Sequence, residues 1–268
     1  MSKSPLISAV LLIALGVVPA VAGPRTISVP APEGDAPRAT PTTLDEYRGY
    51  RFNLAENAGR KDDGAIADTL RRQLDVVESA GFSPRVLQFF HSVPIVASEM
   101  ACLDEGAAAA CYGNLAPARD GLGVTTWDEA KRQWTNPDVV ALAADTGIGV
   151  IMLRPNMMRF EKDPVILHEF LHAYHAKLMP RGYDNPGIAN FYSEAKRTGS
   201  FGKDAYALKN KQEFFAVTAS IFLAGKDSVH EPVTRAKLKE QMPEYYRYLV
   251  GVFGFDPDTP NVASLASN

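Results

Sequence analysis

The sequence is poor in cysteine, in excess basic charge and in long apolar runs. Only two of its 268 residues are cysteine, Cys102 and Cys111. No histidine lies near them in the chain, which argues against a zinc site built on the pair. The formal charge is −3, and neither a basic run nor a basic-aromatic stripe occurs. That excludes the electrostatic footprint of a nucleic-acid binder. Beyond the amino terminus no segment is long and apolar enough to cross a bilayer, so no membrane span is expected in the mature chain. No internal repeat is present. What remains is an ordinary globular composition, 46% hydrophobic and 22% charged, long enough for one medium domain with a sizeable core.

The one apolar run stands at the amino terminus. Lys3 precedes an apolar stretch from about Leu6 to Val18, and Pro19-Ala20-Val21-Ala22-Gly23 places small residues at −3 and −1 for cleavage after Ala22. This is the pattern of a signal peptide over residues 1–22. Residues 23–43, rich in Pro, Ala and Thr, read as a flexible tether. Residues 44–256 read as one domain and 257–268 as a frayed tail. An exported chain is secreted or periplasmic, and in that oxidising setting Cys102 and Cys111 are expected to form a disulfide.

Periodicity supplies the elements. Ile66, Leu70, Leu74 and Val77 predict a helix from about Asp63 to Ala80, stopped by Gly81. Val86 to Ser98 reads as extended, and Pro94 places it at a sheet edge or divides it in two. Thr126-Trp127-Asp128-Glu129 has capping-box spacing and predicts a short helix. Asn136-Pro137 predicts another. Gly149 to Leu153 reads as a buried strand. Asp163-Pro164 opens a helix reaching about Leu178, with Leu167, Leu171, Tyr174 and Leu178 as its core stripe. A loop is expected from Pro180 to Gly187, a helix over about Asn210 to Leu223, and two shorter helices between Pro232 and Val250. A few strands and a helix followed by mostly helices describe an α+β, zincin-like fold.

The chemistry concentrates in His168-Glu169-Phe170-Leu171-His172. Residues four apart share one helix face, so His168 and His172 can address a single metal ion. Glu169 between them can reach a water there without being a ligand. This is the H-E-x-x-H arrangement of a metallopeptidase, with the glutamate as general base. His175 stands seven residues from His168, about 10 Å along the axis. That is too far to complete the same site, and it is expected beside the site or on the surface. A catalytic zinc takes a third protein ligand and keeps one position open. The histidine of the metzincin pattern is absent after Met179-Pro180-Arg181-Gly182, which leaves Glu194 and Glu213. Glu213 heads an apolar helix where a carboxylate is costly to bury unless paired. Asn210-x-x-Glu213 also has the spacing of a capping box.

Tyr206-Ala-Leu-Lys-Asn210-Lys-Gln-Glu213-Phe214-Phe215-Ala216 resembles the corresponding segment of the catalytic domain of anthrax lethal factor and its relatives, which are gluzincin peptidases. The likeness extends over about Val165 to Leu223. The large targeting domains of the toxin have no counterpart, so a toxin role is not implied. The resemblance implies His168, His172 and Glu213 as ligands of one zinc ion, Glu169 as base, and Tyr206 as a phenol that stabilises the transition state. A hydroxyl near the metal can donate to the oxyanion formed when water attacks a peptide carbonyl. The expected function is thus hydrolysis of peptide or protein substrates by a zinc-dependent endopeptidase. A substrate strand would pair with a sheet edge, Val93 to Ser98 or Gly149 to Leu153 being the candidates. The alternatives are a zinc-binding envelope protein without turnover and a zinc amidase acting on a non-peptide or cell-wall amide.

Overall fold

The computed structural model describes residues 45–54, 63–97, 102, 108–113, 127–128, 133–134 and 148–259. The expected signal peptide, the tether, the helix at Asn136-Pro137 and the tail beyond residue 259 lie outside the described residues. Strands β1 (Asp45–Tyr47) and β2 (Tyr50–Asn53) form a hairpin whose two-residue turn, Arg48 and Gly49, has φ of 51° and 87°. Positive φ at both positions matches the right-handed strand twist, and Gly49 takes it without steric cost. Strand β3 (Ile95–Ala97) pairs parallel with β2. Strands β4 (Ala110–Gly113) and β7 (Val150–Leu153) pair antiparallel, and β7 pairs parallel with β3, giving the order β1-β2-β3-β7-β4. A separate antiparallel pair joins β5 (Trp127–Asp128) and β6 (Gln133–Trp134).

Helices dominate the rest of the described chain: α1 (Asp63–Ser79) and α2 (Pro84–Ser92) before β3, the short α3 (Pro155–Met158) after β7, then α4 (Val165–Lys177), α5 (Pro186–Thr198), α6 (Lys211–Ala224), α7 (Arg235–Gln241) and α8 (Pro243–Phe253). The α+β reading holds, with the small sheet first and the helical half after it. All four residues of β7 are buried because both sheet faces are covered. Ile151 and Leu153 join the main core with the helices, while Val150 and Met152 pack with Val96, Cys102 and Cys111 on the other face. The Cys102 and Cys111 sulfurs lie at disulfide distance, 2.08 Å apart.

Three expectations are corrected. The extended reading of Val86 to Ser98 gives way to α2 followed by β3. Pro84 sits in the first turn after an extended Ser83, whose carbonyl accepts from the Val86 and Leu87 amides at 2.9 and 3.1 Å. Its β-branched and aromatic residues suggested a strand, yet Phe90 is buried against Phe82 and Phe170 from a helix. The capping box at Thr126 does not produce a helix at Trp127 and Asp128, which lie in β5. Backbone pairing with Gln133–Trp134 outweighs a four-residue local signal. The segment expected as a loop up to Gly187 already contains the start of α5, where the Asn185 side chain accepts from the Ile188 amide at 3.0 Å and Pro186 occupies the first turn.

The start of α4 is also held differently from the Asp-Pro expectation. Asp163 does not cap it; its carboxylate accepts from the Ser228 amide at 2.8 Å. Gln73 of α1 supplies the missing bonds instead. Its amide oxygen accepts from the Ile166 backbone at 3.2 Å, and its amide nitrogen donates to the Asp163 carbonyl at 2.6 Å. Burial on α4 is wider than the stripe of Leu167, Leu171, Tyr174 and Leu178, since Ile166, Glu169, Phe170, His172, Ala173 and His175 are buried as well.

Gly149 precedes β7 with φ of 92°, and a Cβ there would stand 2.5 Å from the Gly113 carbonyl oxygen and from the Tyr112 hydroxyl. Gly149→Ala is expected to lower stability by at least about 2 kcal/mol, read as a drop in the denaturation midpoint.

Candidate metal centre

α4 presents His168 and His172 one turn apart, with ring centroids 4.7 Å apart and Nε2 atoms separated by 3.0 Å. α6 supplies the third group. Asn210 accepts from the Glu213 amide at 2.8 Å, so the cap expected from the spacing is made. That bond fixes Glu213 in the first helical turn while its carboxylate faces α4. Oε2 lies 3.2 Å from His168 Nε2 and 3.4 Å from His172 Nε2. Glu194, the rival in the sequence, sits half-buried on α5. Among the described residues, His168, His172 and Glu213 form the cluster that can hold a metal ion.

The donor triangle fits such an ion. Tetrahedral coordination with bonds of about 2.0–2.2 Å separates ligand atoms by about 3.3–3.6 Å, close to the observed edges of 3.0, 3.2 and 3.4 Å. Glu213 Oε2 is buried without a hydrogen bond of its own. A carboxylate oxygen in that position, aimed at two imidazole nitrogens, is costly in a bare protein and accounted for by a cation. Burial alone would raise the Glu213 pKa, but the His168 and His172 rings hold it far below the usual carboxylate range, so it is charged. Burial lowers the His168 pKa against the opposing pull of Glu213, which favours the neutral imidazole a metal requires.

A pocket of about 200 Å³ opens on this cluster, lined by Tyr112, Glu169, His172, Tyr183, Asn210, Gln212 and Glu213. Glu169 is thus buried on the same wall as two of the three donors. Tyr112 comes from β4, and its hydroxyl donates to the Ile148 carbonyl at 2.5 Å, so the ring forms a fixed wall. Tyr183 comes from a 3-10 turn, Gly182–Asp184, which an ion pair between Asp184 and Lys211 ties to α6 at 2.9 Å. Neither tyrosine is marked by any local motif. Long-range packing alone brings them here.

Tyr206 lies on a second 3-10 turn, Tyr206–Leu208, which packs on α6 just ahead of Glu213. It is half-buried, is not one of the pocket-wall residues, and its ring lies 5.0 Å from that of His230, tilted by 38°. His175 is beside the site, as one of its two expected places, but not on the surface. It is fully buried between Tyr183 and Phe215, with ring centroids at 5.1 and 4.9 Å and neither ring nitrogen hydrogen-bonded.

No model of a protein family matches the sequence, and no curated protein matches it. Among solved structures, the chain is similar to the Pro-Pro endopeptidase from Paenibacillus alvei, with 17% identity, a TM-score of 0.42, and coverage of 75% of this chain and 96% of that one. So distant a likeness leaves function to be argued from the site.

Burial lowers the His175 pKa to about 3. Below the ordinary histidine value of about 6.5 the unfolded chain takes up a proton that the folded chain refuses. The His175 contribution therefore makes stability fall with decreasing pH between about 6.5 and about 3, by at most about 1.4 kcal/mol per pH unit. His175→Phe is expected to flatten that part of the pH–stability curve, measured by denaturant titration.

Proposed function

We propose that the chain is a zinc-dependent endopeptidase, exported to the periplasm or beyond the cell. The observation that carries this reading is the placement of Glu169, buried on the wall of the pocket that the His172 and Glu213 donors also line. Two imidazoles and one carboxylate beside a pocket are the donor set that a catalytic zinc site would use. A closed structural site would use four protein ligands and no neighbouring carboxylate, which weighs against a binding protein without turnover.

His168, His172 and Glu213 would hold a zinc ion, which would supply Lewis acidity toward a substrate carbonyl and acidify a water. Glu169 accepts the proton of that water and returns it to the leaving amine. Tyr206 donates to the oxyanion that develops on the carbonyl, a role that rests on the resemblance to gluzincin peptidases and on its turn being joined to α6. The substrate is a peptide in extended form. The two strands named from the sequence cannot receive it as edges, because β3 lies between β2 and β7, and β7 between β3 and β4. Strand β4 ends the described sheet order, packs on α4 and carries Tyr112 into the pocket wall. We assign the substrate backbone to its outer edge. Export rests on the amino-terminal pattern and agrees with the cysteine pair at disulfide distance. Among the described residues no helix is long and apolar enough to cross a membrane.

The test is cleavage of a diverse peptide library together with metal analysis. Glu169→Gln is expected to retain zinc and to lose kcat by about 100-fold or more; unchanged turnover would overturn the mechanism. Glu213→Ala is expected to weaken zinc binding by about 100-fold or more, beyond the usual effect of altering an outer partner of a ligand, while Glu194→Ala leaves it unchanged. The reverse result would reassign the third ligand.

A further inference from the structure

The connection from α6 to α7 is anchored at three separate places. Within itself, Asp227 donates its amide to the Val233 carbonyl at 2.9 Å, and Val233 donates to the His230 carbonyl at 2.9 Å. Toward α4, Ser228 bonds the Asp163 carboxylate through both its amide, at 2.8 Å, and its hydroxyl. Toward the segment preceding Tyr206, the Glu231 carboxylate accepts from the Gly202 amide at 2.7 Å. The loop is thus referenced to the chain just ahead of the histidine helix and to the chain just ahead of the tyrosine turn.

Its centre is a buried carboxylate. Asp227 Oδ1 accepts from the backbone amides of Val229 and His230, each at 2.8 Å. Oδ2 lies 2.9 Å from His230 Nδ1. An acceptor at Nδ1 places a proton on that nitrogen and resists rotation of the ring. The oriented imidazole then meets the Tyr206 ring, with centroids 5.0 Å apart and planes tilted by 38°. The Lys209 ammonium stands 5.1 Å from the centroid of the same Tyr206 ring. The phenol ring is therefore met by an imidazole whose own position is set by Asp227.

We propose that the loop from Asp227 to Glu231 is a clamp that sets Tyr206 relative to the metal centre, with His230 as its positioning residue. This rests on the reading of Tyr206 as the phenol that donates to the oxyanion. A misplacement of about 1 Å at such a group can cost about 100-fold in rate, which is the reason to fix a residue on a short turn so firmly. His230 acts through Tyr206 and needs no contact with the substrate.

The experiment combines a mutant cycle with a spectrum. His230→Ala and Asp227→Asn are each expected to lower kcat about 10- to 100-fold with KM and zinc content unchanged, and to add nothing in a Tyr206→Phe background. In zinc-free protein labelled with ¹³C-tyrosine, the signal removed by Tyr206→Phe should shift and broaden in both variants while the other tyrosine signals stay. Losses that add to that of Tyr206→Phe, or an unmoved Tyr206 signal, would overturn the clamp. Full activity of Tyr206→Phe, or a wild type without turnover, would instead overturn the assigned chemistry, and the tyrosine spectrum would still decide whether the clamp holds the ring. If Asp227→Asn does not fold, His230→Gln keeps a donor for Asp227, removes the ring, and is read in the same spectrum.

Discussion

A charged carboxylate buried between two imidazoles is the constraint around which this structure is arranged. Glu213 loses its hydration on folding and recovers attraction only if His168 and His172 stand close to its oxygen. They belong to another helix, so the site exists only while α4 and α6 keep their relative placement. Both helices are buried over most of their length, and His175 and Tyr174 of α4 pack on Phe215 of α6. Local features assist. Glu213 lies in the first turn of α6, where the exposed amides favour a negative group, and Asn210 holds that turn. Gln73 of α1 fixes the start of α4 from outside, so the histidine helix enters the core at a defined height.

The surroundings answer to the same constraint. His175 completes the packing between the Tyr183 turn and Phe215 as a neutral aromatic, at the cost of two unbonded ring nitrogens. Burial keeps that imidazole neutral. Asp184 and Lys211 link the turn that carries Tyr183 to the helix that carries Glu213. The sheet contributes from the opposite side through Tyr112, whose hydroxyl is occupied by a backbone carbonyl.

Much of this was legible in the chain. The periodicity of Ile66, Leu70, Leu74 and Val77 marks α1, and all four are fully buried. His168 and His172 announce their shared face by spacing alone, with Glu169 beside it. α5 was missed although Asn185-Pro186 carries the kind of start signal read at Asp163-Pro164, and at Asp163 the apparent cap turned out to serve Ser228. The segment from Val86 reads as extended in the sequence because β-branched and aromatic side chains are as useful on a buried helix face as in a strand. Only the partner surface, here Phe82 and Phe170 around Phe90, distinguishes the two.

The sequence by itself determined the α+β class, the helix that carries both histidines and the short choice of carboxylates beside them, because these depend on contacts within a few residues along the chain. Tertiary structure brings Glu213, the carboxylate already favoured by the resemblance, against the histidines and leaves Glu194 outside their cluster. It also decided which strands lie inside the sheet, that Tyr112 and Tyr183 line the pocket, and that His230 meets Tyr206. Those outcomes depend on how α6, β4 and the loop after α6 pack against α4, and pairings across such separations leave no periodic or local trace.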